Sequence, residues 1–509
     1  MTDSQDPSGA PTRRSMRDSG KSSRARTRSS SEARASSAGA DIHRGTPSGG
    51  IRALVAKHPL AWPLSAAAVV FLLLGTASVF AGLSAGSNSS AAALPHSASA
   101  YPLRPQPSAI PTSSHLRTCS VAAIAADPRL ANFSGYVARA DTGETLFDRN
   151  GEQPQRTGSV LKTLTAAAAL SVLGPAAQLS TKVIDGSLPG TIVLQGGGDP
   201  TLANTTNTFY DGAPQIGDLA TQAMSNYKAK HPGVPITTIV LDATMWDPAD
   251  NWDPSWDRGE QSAGFQAPVT ALMINGGRED PSQLVSTRTN DPVGDAGRAF
   301  ASAAGLNGVA FTTGAAIGST VLAEVKSQPL STLISEMLLN SDNMLAEMLA
   351  RDTSKALGFN GGSASLAQAI PGALVAYGLP TTTITIRDGS GLSDLNAVSP
   401  QFVSLLMAKV AASTNDLGVV LAGLPVAGQS GTLSGRFEGP NAIAAGNVLA
   451  KTGMLETEYA LGGIIRAADG TQLVFAFYSI RDGITSDAKD AQDALATGVF
   501  SCGNNLSNN

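Results

Sequence analysis

The stretch Gly158-Ser-Val-Leu-Lys-Thr-Leu-Thr-Ala-Ala-Ala-Ala-Leu170 decides how the rest of the chain is read. Leu161, Leu164 and Ala166 to Ala169 make it a helix of small and apolar residues, suited to burial. Ser159 stands at its start and Lys162 follows one turn in. Residues i and i+3 share a helix face, so the lysine amine can reach the serine hydroxyl. Burial and a second cation nearby both lower a lysine pKa, which would let Lys162 take the Ser159 proton. Ser159 at the helix start also offers its own backbone N–H to a bound oxyanion. The spacing alone is weak, because Ser225/Lys228 and Ser486/Lys489 repeat it in polar helices. Taken by itself it favours a surface serine beside a lysine whose stem lies along the surface.

The alternatives for activating a serine are few. The chain has five histidines, His43, His58, His96, His115 and His231. Three precede or fall in a spacer, His115 is at a domain edge and His231 sits in a Lys-His-Pro-Gly turn, so a Ser-His-Asp triad lacks a base. The one G-x-S-x-G match, Gly82 to Gly86, ends an apolar run and cannot be a nucleophile elbow. Cysteine and histidine are too few for a zinc site, so no metal is expected. Gln195 to Asp199 (QGGGD) lacks the Lys and Ser/Thr of a phosphate loop and reads as a turn, and no cofactor is expected. No basic, aromatic-interleaved surface suggests nucleic acid.

Two further motifs change the weight of the first. Ser341-Asp342-Asn343 falls in the break between two helical segments, where Ser, Asp and Asn also serve as ordinary caps. Lys451-Thr452-Gly453 ends an apolar strand, where a lysine could simply be solvated. Each is rare in a chain of this length. Their occurrence in the order S-x-x-K, S-D-N, K-T-G is a joint signature of serine enzymes that use lysine as the base.

The organisation of the chain fits an exported enzyme. It has 509 residues, enough for two or three domains. Residues 1–58 carry eleven basic and five acidic residues, a net +6 that leaves −11 for the remainder. That segment is Ser-, Arg- and Gly-rich without apolar periodicity and is expected to be a disordered cytoplasmic tail. Residues 59–83 follow, with no charge from Leu60 to Leu83, long enough to span a bilayer as a single-pass anchor. The 58-residue basic lead is too long for an ordinary signal peptide. Basic residues before the run, and none until Arg104, place the N-terminus inside the cell and the rest outside. Residues 84–114 are a Ser/Ala/Pro-rich spacer. Cys119 and Cys502 bracket the folded part; two free buried thiols are one reading, and an oxidising compartment favours a bridge.

Local patterns place the motifs. Phe133–Phe147 alternates around Asp141-Thr-Gly143 and reads as a hairpin. Short strands over Thr191–Leu194 and Thr237–Leu241 and a helix over Gly217–Lys228 fill a mixed region from Gln178 to Thr320. Pro329–Asn340 and Asn343–Leu357 are two helices. Asn447–Lys451, Tyr459–Ala467 and Gln472–Ile480 are apolar strands of an antiparallel sheet.

With these motifs in place, the exported part resembles the class C low-molecular-mass penicillin-binding proteins, the D-alanyl-D-alanine carboxypeptidase/endopeptidases. The resemblance runs from about Arg117 to Phe500 and includes Gly196 to Leu202 (GGGDPTL), Asp388 to Ser393 (DGSGLS), Leu424 to Gly428 (LPVAG) and Gly431 to Leu433 (GTL). It implies an α/β (α+β) transpeptidase/β-lactamase-like fold, a five-stranded antiparallel sheet flanked by helices, with an inserted domain between the first two motifs. Ser159 and Ser341 are 182 residues apart, so residues 178–320 are the expected insertion, between transpeptidase-like parts at 115–177 and 321–509.

The resemblance assigns Ser159 as the acylated nucleophile and Lys162 as its base. It gives Ser341 and Asn343 the proton relay and the substrate amide, and Lys451 the positive charge. Thr452 would bind the substrate carboxylate, and the N–H groups of Ser159 and Met454, next to Gly453, would form the oxyanion hole. Met454 departs from the pattern, since many relatives carry Thr or Ser there. The implied substrates are peptidoglycan stem peptides, with β-lactams as inhibitors. A β-lactamase-like hydrolase or esterase and a non-catalytic wall-peptide sensor are the rival functions; no E-x-x-L-N stretch follows S-D-N, which argues against a class A β-lactamase. Trp246, Trp252 and Trp256, interleaved with aspartates, read as a structural loop of the insertion rather than a sugar or calcium site. Arg278, Arg387 and Arg436 are candidate substrate-facing cations.

Overall fold

The computed structural model describes residues 116–508. The basic tail, the apolar run and the spacer lie outside them. Among the described residues no single helix is long and apolar enough to cross a membrane.

Twelve strands are described: β1 (Cys119–Ser120), β2 (Asn132–Arg139), β3 (Thr145–Arg149), β4 (Ser180–Asp185), β5 (Thr191–Gly197), β6 (Thr238–Asp242), β7 (Ala310–Thr313), β8 (Val321–Lys326), β9 (Val448–Leu455), β10 (Glu458–Arg466), β11 (Gln472–Ile480) and β12 (Leu506–Ser507). The main longer helices are α1 (Lys162–Leu173), α2 (Ile216–Lys230), α3 (Pro292–Ala303), α4 (Leu330–Asn340), α5 (Asn343–Ala356), α6 (Leu366–Leu374), α7 (Pro400–Ala411) and α8 (Asp487–Cys502).

The main sheet runs β3-β2-β11-β10-β9, antiparallel throughout. Its centre is β11, whose sequence QLVFAFYSI is apolar almost without break because both faces are covered. Leu473, Phe475 and Phe477 pack with Leu495, Ala496 and Val499 of α8 on one face. Val474, Ala476 and Tyr478 alternate to the other and join α1, α4, α5, α6 and α7 in the largest core. Truncating Phe475 or Phe477 to Ala would cost about 3–5 kcal/mol on this packing. Helix α1 is buried all round, and Ala166 to Ala169 have no exposed surface. Small side chains there let α5 lie close against it.

Residues 178–326 form the second layer. Its sheet runs β7-β6-β5-β4-β8, with β5, β6 and β7 parallel and β4 antiparallel to both its neighbours. Strand β8 is the edge of this sheet, registered Ser180 to Lys326, so the sheet takes in residues beyond 320, where the inserted domain was expected to end. The Gln195–Asp199 stretch differs from expectation in the same way: β5 continues through Gly197, and the turn begins at Gly198 (φ +83°).

In the tryptophan loop, Trp246, Trp252 and Trp256 are buried with Met344 and Met348 of α5. Cys119 and Cys502 form a disulfide with Cα atoms 5.5 Å apart, beside the parallel pairing of β1 with β12.

Candidate active site

The turn that carries Ser159 lies against β9 with no room to spare. Residues Gly158–Leu161 form a 3-10 turn that leads directly into α1. A Cβ on Gly453 would collide with the Thr157 carbonyl. Gly158 has φ +46°, and a Cβ there would lie 2.9 Å from the Met454 nitrogen. Glycine at both positions brings the Ser159 and Met454 backbones side by side. The K-T-G motif stands inside β9 rather than at its end, because the strand continues to Leu455 to pair with β10.

Lys162 is fully buried. Its Nζ is 2.8 Å from Ser159 Oγ, 2.7 Å from Asn343 Oδ1 and 2.7 Å from the Ser390 carbonyl. Ser159 itself is half-buried, so the hydroxyl is open to a substrate while the amine is not. Burial pushes the Lys162 pKa down to about 8, against the upward pull of Asp388, Glu347 and Asp342. Lys451 is also fully buried; its Nζ donates to Ser341 Oγ at 2.9 Å and to the Thr452 carbonyl at 3.0 Å. Burial, and then the charge of Lys162, hold it well below the usual lysine value.

Ser341 closes α4 in the left-handed region, φ +57°, unusual for a residue with a side chain. Asp342 then caps α5 by accepting from the Leu345 N–H at 3.0 Å. The capping and catalytic readings of S-D-N therefore divide among its residues: Asp342 caps, while Ser341 and Asn343 turn to the two lysines. Asp342 Oδ2 also accepts from Arg278 Nη2 at 2.8 Å and Tyr210 Oη at 2.9 Å. Burial alone would raise its pKa, but Arg278 and Arg288 outweigh that and hold it at about 2. Each of the three candidate arginines meets a buried carboxylate, and the Arg387 side chain remains 36% exposed. Arg278 is buried on Asp342, Arg436 pairs with Asp493 at 2.6 Å and Arg387 with Asp253 at 2.8 Å. Each is consumed by a buried carboxylate that would otherwise be uncompensated.

Several supporting residues escape sequence reasoning. The Ser390 carbonyl meets Lys162 because Glu347 Oε1 accepts from the Gly389 and Ser390 N–H groups. Asp388 accepts from Gly391, Ser393, Asn396 and Trp256 in the same loop. A backbone carbonyl has no sequence signal, and only the DGSGLS string marked this loop. His231, the one histidine among the described residues, sits 3.0 Å from Asp185 in the second layer. Among the described residues no group of three or more His, Cys, Asp or Glu side chains is placed to hold a metal ion.

A serine beside a buried lysine, with S-D-N and K-T-G converging on a helix-flanked five-stranded antiparallel sheet, defines the penicillin-recognising serine enzymes. The chain belongs to the D-Ala-D-Ala carboxypeptidase 3 (S13) family, matched over residues 117–283 and 279–499. It is 36% identical over 402 residues to carboxypeptidase DacB of Mycolicibacterium smegmatis, covering 77% of this chain and 85% of that one. It is 28% identical over 453 residues to a D-alanyl-D-alanine carboxypeptidase of Actinomadura, covering 74% of this chain and 82% of that one. The fold is similar to penicillin binding protein 4 of Haemophilus influenzae, with a TM-score of 0.59 at 20% identity, over 72% of this chain and 94% of that one.

Proposed function

We propose that the chain is a serine-type D-Ala-D-Ala carboxypeptidase of peptidoglycan stem peptides, working through an acyl-enzyme on Ser159 that β-lactams also form. The observation that carries this reading is the 2.8 Å approach of a fully buried amine to an accessible serine hydroxyl. Ser159 Oγ bonds to the carbonyl carbon of the penultimate D-alanine as its proton passes to the neutral Lys162 amine. The resulting oxyanion faces the N–H groups of Ser159 and Met454; one such donor is typically worth about 3–4 kcal/mol. When the C–N bond breaks, the proton moves from Lys162 through the Ser341 hydroxyl to the departing D-alanine nitrogen. Water then hydrolyses the ester and returns Ser159 to its hydroxyl form.

Two buried amines cannot both stay charged. A substrate carboxylate arriving beside Lys451 favours a proton there, and that charge keeps Lys162 neutral. Binding the correct substrate in this way prepares the base. Asn343 holds Lys162 and offers its amide to the substrate backbone.

Residues 1–58 form a cytoplasmic tail, 59–83 a single-pass anchor and 84–114 a spacer that holds residues 115–509 outside the cell membrane, where wall peptides lie. The test is release of D-alanine from diacetyl-Lys-D-Ala-D-Ala, with and without benzylpenicillin. Release blocked by the drug supports the reading. Rapid drug hydrolysis without release would make the protein a β-lactamase, and neither activity would make it a sensor. Ser159→Ala is expected to lose all labelling by a fluorescent penicillin while melting like the parent.

A further inference from the structure

Strand alternation puts Thr452 and Met454 on the same face of β9, two residues apart, with Gly453 between them. That face therefore carries one hydroxyl where two could stand. A carboxylate has about four acceptor positions, and a single hydroxyl fills one. The shortfall is met from another element. Thr432 Oγ1 lies 2.8 Å from Thr452 Oγ1, on the short turn Gly431–Leu433. Thr432 is exposed and Thr452 half-buried, so both hydroxyls are open to a ligand.

The turn that carries Thr432 is fixed. Gly431 has φ +55°, and a Cβ there would lie 2.7 Å from the Leu339 carbonyl, at the end of α4 just before Ser341. Leu433 is fully buried, and its carbonyl accepts from the Gly428 N–H at 2.9 Å. Ser430 Oγ accepts from the Val426 N–H at 3.1 Å. Thr432 is thus held beside both the S-D-N break and the K-T-G strand by contacts of its neighbours that do not involve its own side chain.

We infer that Thr432 is a specificity-determining residue whose hydroxyl pairs with that of Thr452 to bind the C-terminal carboxylate of the substrate, the task Met454 cannot perform. Without ligand one hydroxyl donates to the other. When a carboxylate arrives, both rotate to donate to it, alongside the Lys451 ammonium. This rests on the carboxypeptidase reading above.

The test compares two substrates on the whole enzyme: diacetyl-Lys-D-Ala-D-Ala, which ends in a carboxylate, and an N-acyl-D-alanine phenyl ester, which has none. Thr432→Val keeps the side chain's shape and removes the hydroxyl. The ratio of kcat/KM for peptide over ester is expected to fall about tenfold to a hundredfold, chiefly through KM. Thr432→Ser should keep the ratio near the parent's, and adding Met454→Thr to Thr432→Val should restore much of it. A Thr432→Val enzyme that loses both substrates equally, or neither, overturns the assignment while leaving the carboxypeptidase reading standing. A parent enzyme that releases no D-alanine overturns both.

Discussion

The pKa of Lys162 sets the pH at which the enzyme can be acylated, and Glu347 offers a way to move it. In the proposed mechanism the free amine is the proton acceptor, so the second-order acylation rate should follow the neutral fraction of Lys162. An unperturbed lysine at 10.5 would be neutral in only about three parts in ten thousand at pH 7. With the pKa lowered to about 8, the neutral fraction at pH 7 is about one tenth, a gain of roughly 300-fold. Glu347 is one of three carboxylates that pull the value up. Its own pKa is raised to about 7 by burial and by Asp388, so it is largely ionised where Lys162 titrates. Glu347→Gln removes the charge, while the amide oxygen can still accept from Gly389 and Ser390. The acylation limb should then move to lower pH. At pH 7 the rate can rise by at most about tenfold, because the parent already has about one tenth of its base neutral. The assay is the rate of Ser159 labelling by a fluorescent penicillin from pH 6 to 10 at constant ionic strength. A limb with its midpoint near 10.5, a flat profile, or a shift to higher pH in Glu347→Gln would refute the reasoning.

Three other outcomes follow from the geometry. Arg278→Met should destabilise the protein by about 3–5 kcal/mol in chemical denaturation, because it leaves Asp342 buried without its main partner, and adding Asp342→Asn should recover part of the loss. Glu458 is fully buried with neither carboxyl oxygen hydrogen-bonded, and burial raises its pKa to about 8. Its folded-state value lies above the unfolded one. The stability it confers is therefore complete below about pH 4.5 and lost as pH rises towards about 8, a slope that urea titrations should find missing in Glu458→Gln. Replacing Cys119 and Cys502 together by Ser releases a loop of sequence separation 383 and should cost about 3–5 kcal/mol in the same titrations.

How much of this could be read from the sequence depended on whether a feature was local. The hairpin, the helix after Ser159, the two helices flanking S-D-N and the three C-terminal strands each carry their own periodicity and turn residues, and the sheet they form follows from them. The motif residues were legible because their chemistry is rare in that order. The partners of Arg278, Arg387 and Arg436 were not, because nothing in the sequence marks an arginine as the partner of a buried aspartate, which for Arg278 lies 64 residues away. Glu347 and the Ser390 carbonyl were hidden for a related reason. One sits in the amphipathic pattern of α5, and the other is backbone.

The second sheet and its loops, residues 178–326, gain a role from the same long-range contacts. Arg278 and Tyr210 both come from this layer, and both end on Asp342, the residue between Ser341 and Asn343. Its tryptophan loop packs on Met344 and Met348 and bonds Asp388 through Trp256. The start of α5 and the DGSGLS loop, which together supply two of the three acceptors around Lys162, are therefore clamped from this layer rather than from the catalytic sheet. A break holding a left-handed serine and a helix start beside two buried amines is costly to order. Placing its ion pair on a separate layer lets the charge on Asp342 be neutralised without adding a cation beside Ser159, where in the proposed mechanism it would compete with Lys451 for the substrate carboxylate.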